Sequence, residues 1–156
     1  MSQANKKVIE QFYTAFQNGD VEKMIACYHT KIVFEDPAFG VLKGAEAGSM
    51  WRMLIERGKG NIDISYSDVQ ADEQNGSAHW EAKYPFSKTG RKVHNKIDAS
   101  FQFKDGKIIQ HTDKFDLWKW SSMALGMSGT LLGWTPFMRN KIKQLSRGLL
   151  KKYMEK

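Results

Sequence analysis

Ile32-Val33-Phe34-Glu35-Asp36-Pro37 reads as a β-strand that ends in an acid. Side chains two apart share a face of a strand, so Asp36 continues the apolar row of Ile32 and Phe34 while Glu35 points the other way. The same phasing returns late in the chain. Across His111-Thr112-Asp113-Lys114-Phe115-Asp116, the row Ile109, His111, Asp113, Phe115 and Leu117 sets a histidine and an aspartate among apolar groups. A buried carboxylate without a partner is costly, so such a position implies pairing, a raised pKa or a solvated pocket. Two readings stand. Either the acids converge on a pocket, where perturbed acids do chemistry, or each Asp ends a strand and caps a turn.

Upstream of this strand, Val8, Ile9, Phe12, Tyr13 and Phe16 recur at three- and four-residue spacing, the stripe of an amphipathic helix. Asn18-Gly19 stops it, and Asp20 is placed to cap a second helix running through Met24, Ile25, Cys27 and Tyr28 to about His29. After Pro37, Val41-Leu42 makes a brief strand. A third helix then carries Ala47, Met50, Trp51, Leu54 and Ile55 as its apolar stripe and ends at Gly58 and Gly60.

From Ile62 onward the period changes from 3.6 to 2. Ile62, Ile64 and Tyr66 alternate with polar residues, as do Ala78, Trp80, Ala82, Tyr84 and Phe86, and then Val93, Asn95, Ile97, Ala99, Phe101 and Phe103. Gln74-Asn75-Gly76, Lys88-Thr89-Gly90 and Lys104-Asp105-Gly106-Lys107 read as the turns between these strands, the last of which runs from Ile108 to Trp118. Helices first and strands afterwards indicate an α+β domain with a curved, mainly antiparallel sheet folded around a helical layer. Beyond Trp118, glycines at 126, 129 and 133 interrupt an apolar stretch and argue against one long helix. Thr135-Pro136 then opens a helix with Met138, Ile142, Leu145, Leu149 and Tyr153 at helical spacing.

The chain has 156 residues with 41% hydrophobic content, enough for one domain with a core and too short to expect two. No stretch approaches the ~20 apolar residues of a membrane span, and the first residues lack the apolar run of a signal peptide, so a cytoplasmic protein is expected. The lone Cys27 allows neither an internal disulfide nor a thiolate-rich metal site. The net charge is +7, but it is not spread evenly. Seven basic residues and one acid follow Pro136, leaving 17 basic and 16 acidic residues before it. The body is thus electrostatically ordinary and shows no basic, aromatic-rich strand of the kinds that read nucleic acid.

Taken in order, the helix, the Asn-Gly-Asp turn, the Val-Phe-Glu-Asp-Pro strand, the Gly-initiated third helix and the strands closing on Asp-Gly-Lys-Ile and His-Thr-Asp-Lys-Phe-Asp resemble the NTF2-like superfamily, in particular its SnoaL-like and ketosteroid-isomerase-like members. The resemblance covers about residues 5–118. It implies a cone-shaped α+β barrel in which a curved sheet wraps three N-terminal helices around a deep apolar pocket, and a homodimer formed through the sheet. Residues 1–118 are then the domain, and 119–156, with the C-terminal amphipathic helix, an extension of it.

By this resemblance Asp36 matches the general base of ketosteroid isomerases, and Asp113 the pocket aspartate of limonene-epoxide-hydrolase-like and SnoaL-like members. Departures accompany the matches. The oxyanion-stabilising tyrosine of the isomerases falls at Phe12, with Tyr13 one position, about 100°, around the helix. Their protonated aspartate falls at Ala99, with Asp98 facing outward. The second acid of the epoxide hydrolases has no counterpart in the inner row, which offers Asn95 between outward-facing His94 and Lys96.

The sequence therefore nominates Asp36, Asp113 and His111 as proton-transfer groups, and Asn95, Tyr13, Phe16, Phe34, Trp51, Trp80, Tyr84 and Phe115 as the lining of a site for a small apolar molecule. No cofactor and no metal site are expected, since His29, His79 and His94 lack partners at ligand spacing. Cofactor-free isomerisation or hydration of such a molecule is one reading of function. The alternative is a non-catalytic binding or scaffold protein whose basic C-terminal helix docks on a partner groove or a membrane surface; the same helix could equally pack on its own domain with a solvated basic face.

Overall fold

The computed structural model describes residues 2–155; Met1 and Lys156, the latter counted above with the basic tail, lie outside the described residues. Ile9, Phe12, Tyr13 and Phe16 form the buried stripe of α1 (Gln3–Gln17), whose first turn is capped by Ser2 accepting the Asn5 N–H at 3.1 Å. Asp20 caps α2 (Val21–Ala26) through the Lys23 N–H. The expected extension of this helix to His29 is not observed. Ile108 N–H donates to the Cys27 carbonyl and Tyr28 pairs with Ile108, so tertiary pairing draws the chain into β1 (Tyr28–Asp36) one residue past the cap.

Then follow β2 (Gly40–Lys43), α3 (Ala45–Gly58), β3 (Asp63–Ala71), β4 (Asn75–Pro85), β5 (Lys92–Lys104) and β6 (Lys107–Lys114). Among the described residues these strands form one open sheet in the order β2-β1-β6-β5-β4-β3, antiparallel except for the β1–β6 pair. The β5–β6 hairpin turns on Asp105 and Gly106, both at positive φ (55° and 75°), a pair whose twist suits two antiparallel strands. Gly76 sits inside β4 because a Cβ there would meet Ile9 Cδ1 at 2.8 Å and Phe103 at 3.0 Å, so α1 rests directly on the sheet backbone.

Two details of β6 depart from simple alternation. Gln102 pairs with Gln110 but Phe103 with Ile108, leaving Ile109 as an extra residue; the bulge turns Ile108 rather than Ile109 into the core. The strand also ends at Lys114 instead of reaching Trp118. Asp116 accepts the Lys119 N–H at 3.1 Å and so caps α4 (Leu117–Leu125), a helix where a strand end was expected.

The glycine-broken stretch folds as α4 and α5 (Met127–Leu132) packed against each other. Gly129 crosses α4 so closely that a Cβ would overlap the Ser121 carbonyl. Thr135 then caps α6 (Pro136–Met154), with proline at its first position as expected. α6 packs on α3, burying Ile142 and Leu150, and Arg147 pins it by donating to the carbonyls of Phe39 and Val41 at 2.9 and 3.0 Å. The core lies between the inner face of the sheet and α1, α2 and α3, and each of its large apolar side chains contributes about 1.5–3 kcal/mol by leaving water.

Candidate functional site

Strand register brings the two acids together. Phe34 pairs with His111 and Glu35 with Thr112 across the parallel β1–β6 ladder, so Asp36 and Asp113 come next, side by side on the inner face. On the far side of β6, Asp113 lies opposite Ala99 and His111 opposite Phe101.

Behind the acids runs a chain of buried polar groups. Trp51 Nε1–H donates to the Tyr28 hydroxyl at 2.9 Å, and that hydroxyl lies 2.7 Å from His111 Nδ1. His111 Nε2 is 2.9 Å from Asp113 Oδ1, which also accepts Trp80 Nε1–H at 3.2 Å. Carboxylate oxygens accept, so Nε2 carries the imidazole proton and Nδ1 is left to accept from Tyr28. Burial raises the Tyr28 hydroxyl well above its ordinary range, which keeps that proton on Tyr28. His111 is fully buried and Asp113 nearly so, and both ring nitrogens of His111 have partners.

The Tyr13 hydroxyl is different. It is buried and has no hydrogen-bond partner among the described residues, and burial, with the nearby Asp113 charge, raises its pKa well above the ordinary value.

Asp36 stands at the C-terminal end of β1, half-buried, and accepts the Phe39 N–H at 2.6 Å as its strand turns at Pro37. Burial raises its pKa from 3.8 to about 7 against the pull of the Phe39 and Ala38 N–H groups, and the charge of Asp113 adds to the rise. The Tyr84 hydroxyl accepts Trp120 Nε1–H at 2.8 Å, and burial, reinforced by Asp36, raises its pKa. α4 is tied over this end of β4 and β5 by Thr89 Oγ1–H to the Ala124 carbonyl (2.6 Å) and Arg91 Nε–H to the Met123 carbonyl (2.9 Å).

The structure thus gathers His111, Asp113 and Trp80 into hydrogen-bonded contact and sets Asp36 near enough to Tyr84 for its charge to act on that hydroxyl. Asn95 is buried on the same inner row, opposite Ala82, and Phe115 is half-buried just past β6. Tyr13, Phe16, Phe34, Trp51 and Trp80 pack ring against ring: Phe34 and His111 meet edge-on at 5.1 Å, Trp51 stacks on His111 at 6.2 Å, and Tyr13 and Trp80 lie 5.9 Å apart. Two surface clefts lie elsewhere, one along Gln70–Asp72 and Asn75–Ser77, the other between α3 and the end of α6.

Sequence reading missed Tyr28 and Trp120. Tyr28 shares the even-numbered phase of Ile32, Phe34 and Asp36, but Thr30 between them is exposed and the β1–β6 register shifts after Tyr28, so alternation did not reveal it. Trp120 carried no signal, because it reaches Tyr84 only through the fold of α4.

On the outer face, His79 bonds Asp98 at 2.9 Å and Glu81 at 2.8 Å, while His94 bonds Glu81 at 2.6 Å. Bonding to Asp98 and Glu81 raises the His79 pKa, and the two histidines hold that of Glu81 down to about 2. Among the described residues no three His, Cys, Asp or Glu groups are placed to hold a metal ion.

The open, curved sheet wrapped on helices defines an α+β cone of the NTF2-like kind. The chain belongs to the SnoaL-like domain family, whose model matches residues 9–111, a span that includes Asp36 and His111 and ends just before Asp113. Solved structures share the fold. An LEH-like epoxide hydrolase from M. tuberculosis is 20% identical over 85% of this chain and 98% of its own, with a TM-score of 0.61. Bal32a, from a soil-derived mobile gene cassette, is 19% identical over 78% and 96%, with a TM-score of 0.67. TerC, co-crystallised with polyporic acid, is 17% identical over 73% and 92%, with a TM-score of 0.62. Among curated protein sequences none matches the chain.

Proposed function

We propose that the chain binds a small apolar molecule beside Asp36 and Tyr84 and moves a proton on it with Asp36, without a cofactor. The observation that carries this reading is the setting of Asp36: a partly buried carboxyl beside a second buried acid, with a pKa of about 7. Such a group is part acid and part base at neutral pH, the state a proton-transfer residue needs. Asp113, anchored by His111 and Trp80, acts as the fixed charge that tunes it. The Tyr84 hydroxyl, which accepts from Trp120 and keeps its own proton to donate, is the candidate hydrogen-bond donor to a substrate oxygen. The solved relatives named for an epoxide hydrolase and for a bound polyporic acid support the substrate class, a compact and largely apolar molecule bearing oxygen.

The test is proton exchange in heavy water. Apolar ketones with an acidic C–H next to the carbonyl are incubated with the protein, and deuterium uptake is read by mass spectrometry. Uptake should fall by about 100-fold or more in Asp36→Asn, the size expected for loss of a general base. Uptake unchanged by that substitution would refute the role of Asp36.

A second reading draws on the interior itself. Rings fill the space around His111, and both of its nitrogens are hydrogen-bonded, which suits a non-catalytic binding protein whose buried acid only organises the core. Absence of exchange across the whole panel would favour it.

A further inference from the structure

We propose that the α4–α6 extension is a docking surface for an anionic lipid bilayer. Large apolar side chains that most proteins bury are here held outward: Met127 (78% exposed), Phe137 (72%), Trp134 (64%) and Leu131 (62%), with Leu132 and Trp118 beside them in sequence. Among the described residues, six of the nine exposed large apolar residues fall between 118 and 137. Concentration of that kind marks an interaction surface rather than the scattered exposure normal in proteins.

Their exposure is built in. Gly129 crosses Ser121 without room for a Cβ, and Trp118 Nε1–H bonds the Thr130 carbonyl at 3.0 Å, so α5 is locked against α4 with its large side chains outside. α6 already has its own inner stripe, with Leu150, Leu149 and Tyr153 seated on the core and Ile142 buried on one face with them. Phe137 and Leu145 therefore remain on its free side, beside Lys141.

Charge selects the occupant. Residues 117–154 contain seven Lys and Arg and no Asp or Glu, which equals the +7 of the whole chain and leaves the rest balanced at 17 basic and 17 acidic residues. Arg147 is used internally, but Arg139, Lys141, Lys143, Lys151 and Lys152 are exposed. An apolar tip carrying tryptophan and flanked by bases matches an interface where acyl chains lie beneath anionic headgroups. A second copy fits less well, because a two-fold interface sets a patch against itself and would face bases with bases. No helix of the described residues is long and apolar enough to cross a membrane, so the mode is peripheral.

The test is co-sedimentation of the full chain with vesicles of phosphatidylcholine alone or mixed with phosphatidylglycerol. The chain should pellet with the mixed vesicles, stay in solution with phosphatidylcholine, and be released as salt rises. Trp134→Ser/Phe137→Ser and Arg139→Gln/Lys141→Gln, all at exposed positions, should each weaken binding by about tenfold while circular dichroism is unchanged. Failure of the wild-type chain to bind mixed vesicles overturns the proposal, as does wild-type binding by the Trp134/Phe137 variant. A dimer that dissociates in that variant, without vesicle binding, assigns the patch to a second copy and also overturns it.

Discussion

Replacing Asp36 with Asn should make the protein more stable in alkaline solution and change little in acid. In the folded chain Asp36 keeps its proton up to about pH 7, whereas unfolded it releases it near 3.8. Between those values the folded state binds more protons, so the contribution of Asp36 to stability falls as pH rises, and above the folded pKa the full cost of holding a charged carboxylate there is present. The rise from 3.8 to about 7 sets an upper bound of about 4 kcal/mol on that cost. Partial exposure of the carboxyl reduces it, and we expect about 1–3 kcal/mol. Asn keeps an oxygen for the Phe39 N–H and carries no charge, so it removes the cost without breaking the turn. Urea unfolding of both proteins at about pH 8 and about pH 3, below both pKa values, reads the difference. A gain of about 1–3 kcal/mol at the higher pH that vanishes at the lower one is expected. Equal stability at both, or a loss at the higher pH, would mean that Asp36 ionises as an ordinary surface acid.

Tyr28→Phe removes the link between Trp51 and His111 and leaves two buried nitrogens without partners, so urea unfolding should show a loss of about 2–4 kcal/mol. Tyr13→Phe removes a hydroxyl that has no partner; stability should be unchanged or rise by up to about 1 kcal/mol, and a clear loss would mean that the hydroxyl is bonded in solution. Gly129→Ala forces α5 away from Ser121, so amide exchange should accelerate across α4 and α5 while the β-sheet keeps its protection.

The parts of this fold governed by local pattern were legible in the residues. The α1 stripe, the Asp105-Gly106 turn, the inward phase of Phe34 and Asp36 and the Thr135-Pro136 helix start all follow from spacing or backbone preference. What sequence reading missed was set by partners distant in the chain. Tyr28 joins β1 because Ile108 pairs with it, although its neighbours read as helix. The Ile109 bulge depends on the register between β5 and β6, and simple alternation therefore selects the wrong isoleucine. The α4 cap over Tyr84 was hidden because Phe115 and Leu117 continue the strand period while Asp116 begins a helix. The candidate site was read in the same uneven way. His111 and Asp113 were identifiable from phase, but whether the aromatic residues around them line a hollow or fill it depends on packing in three dimensions.

The central claim is that Asp36 and Asp113 share one partly dry environment, in which the charge of Asp113 helps hold the proton on Asp36. Carboxyl carbon NMR, following Asp36 through a pH titration in the wild-type chain and in Asp113→Asn, tests it most directly. A midpoint near 7 that moves down when the neighbouring charge is removed is expected. A midpoint near that of a free aspartate, or one indifferent to residue 113, would contradict it.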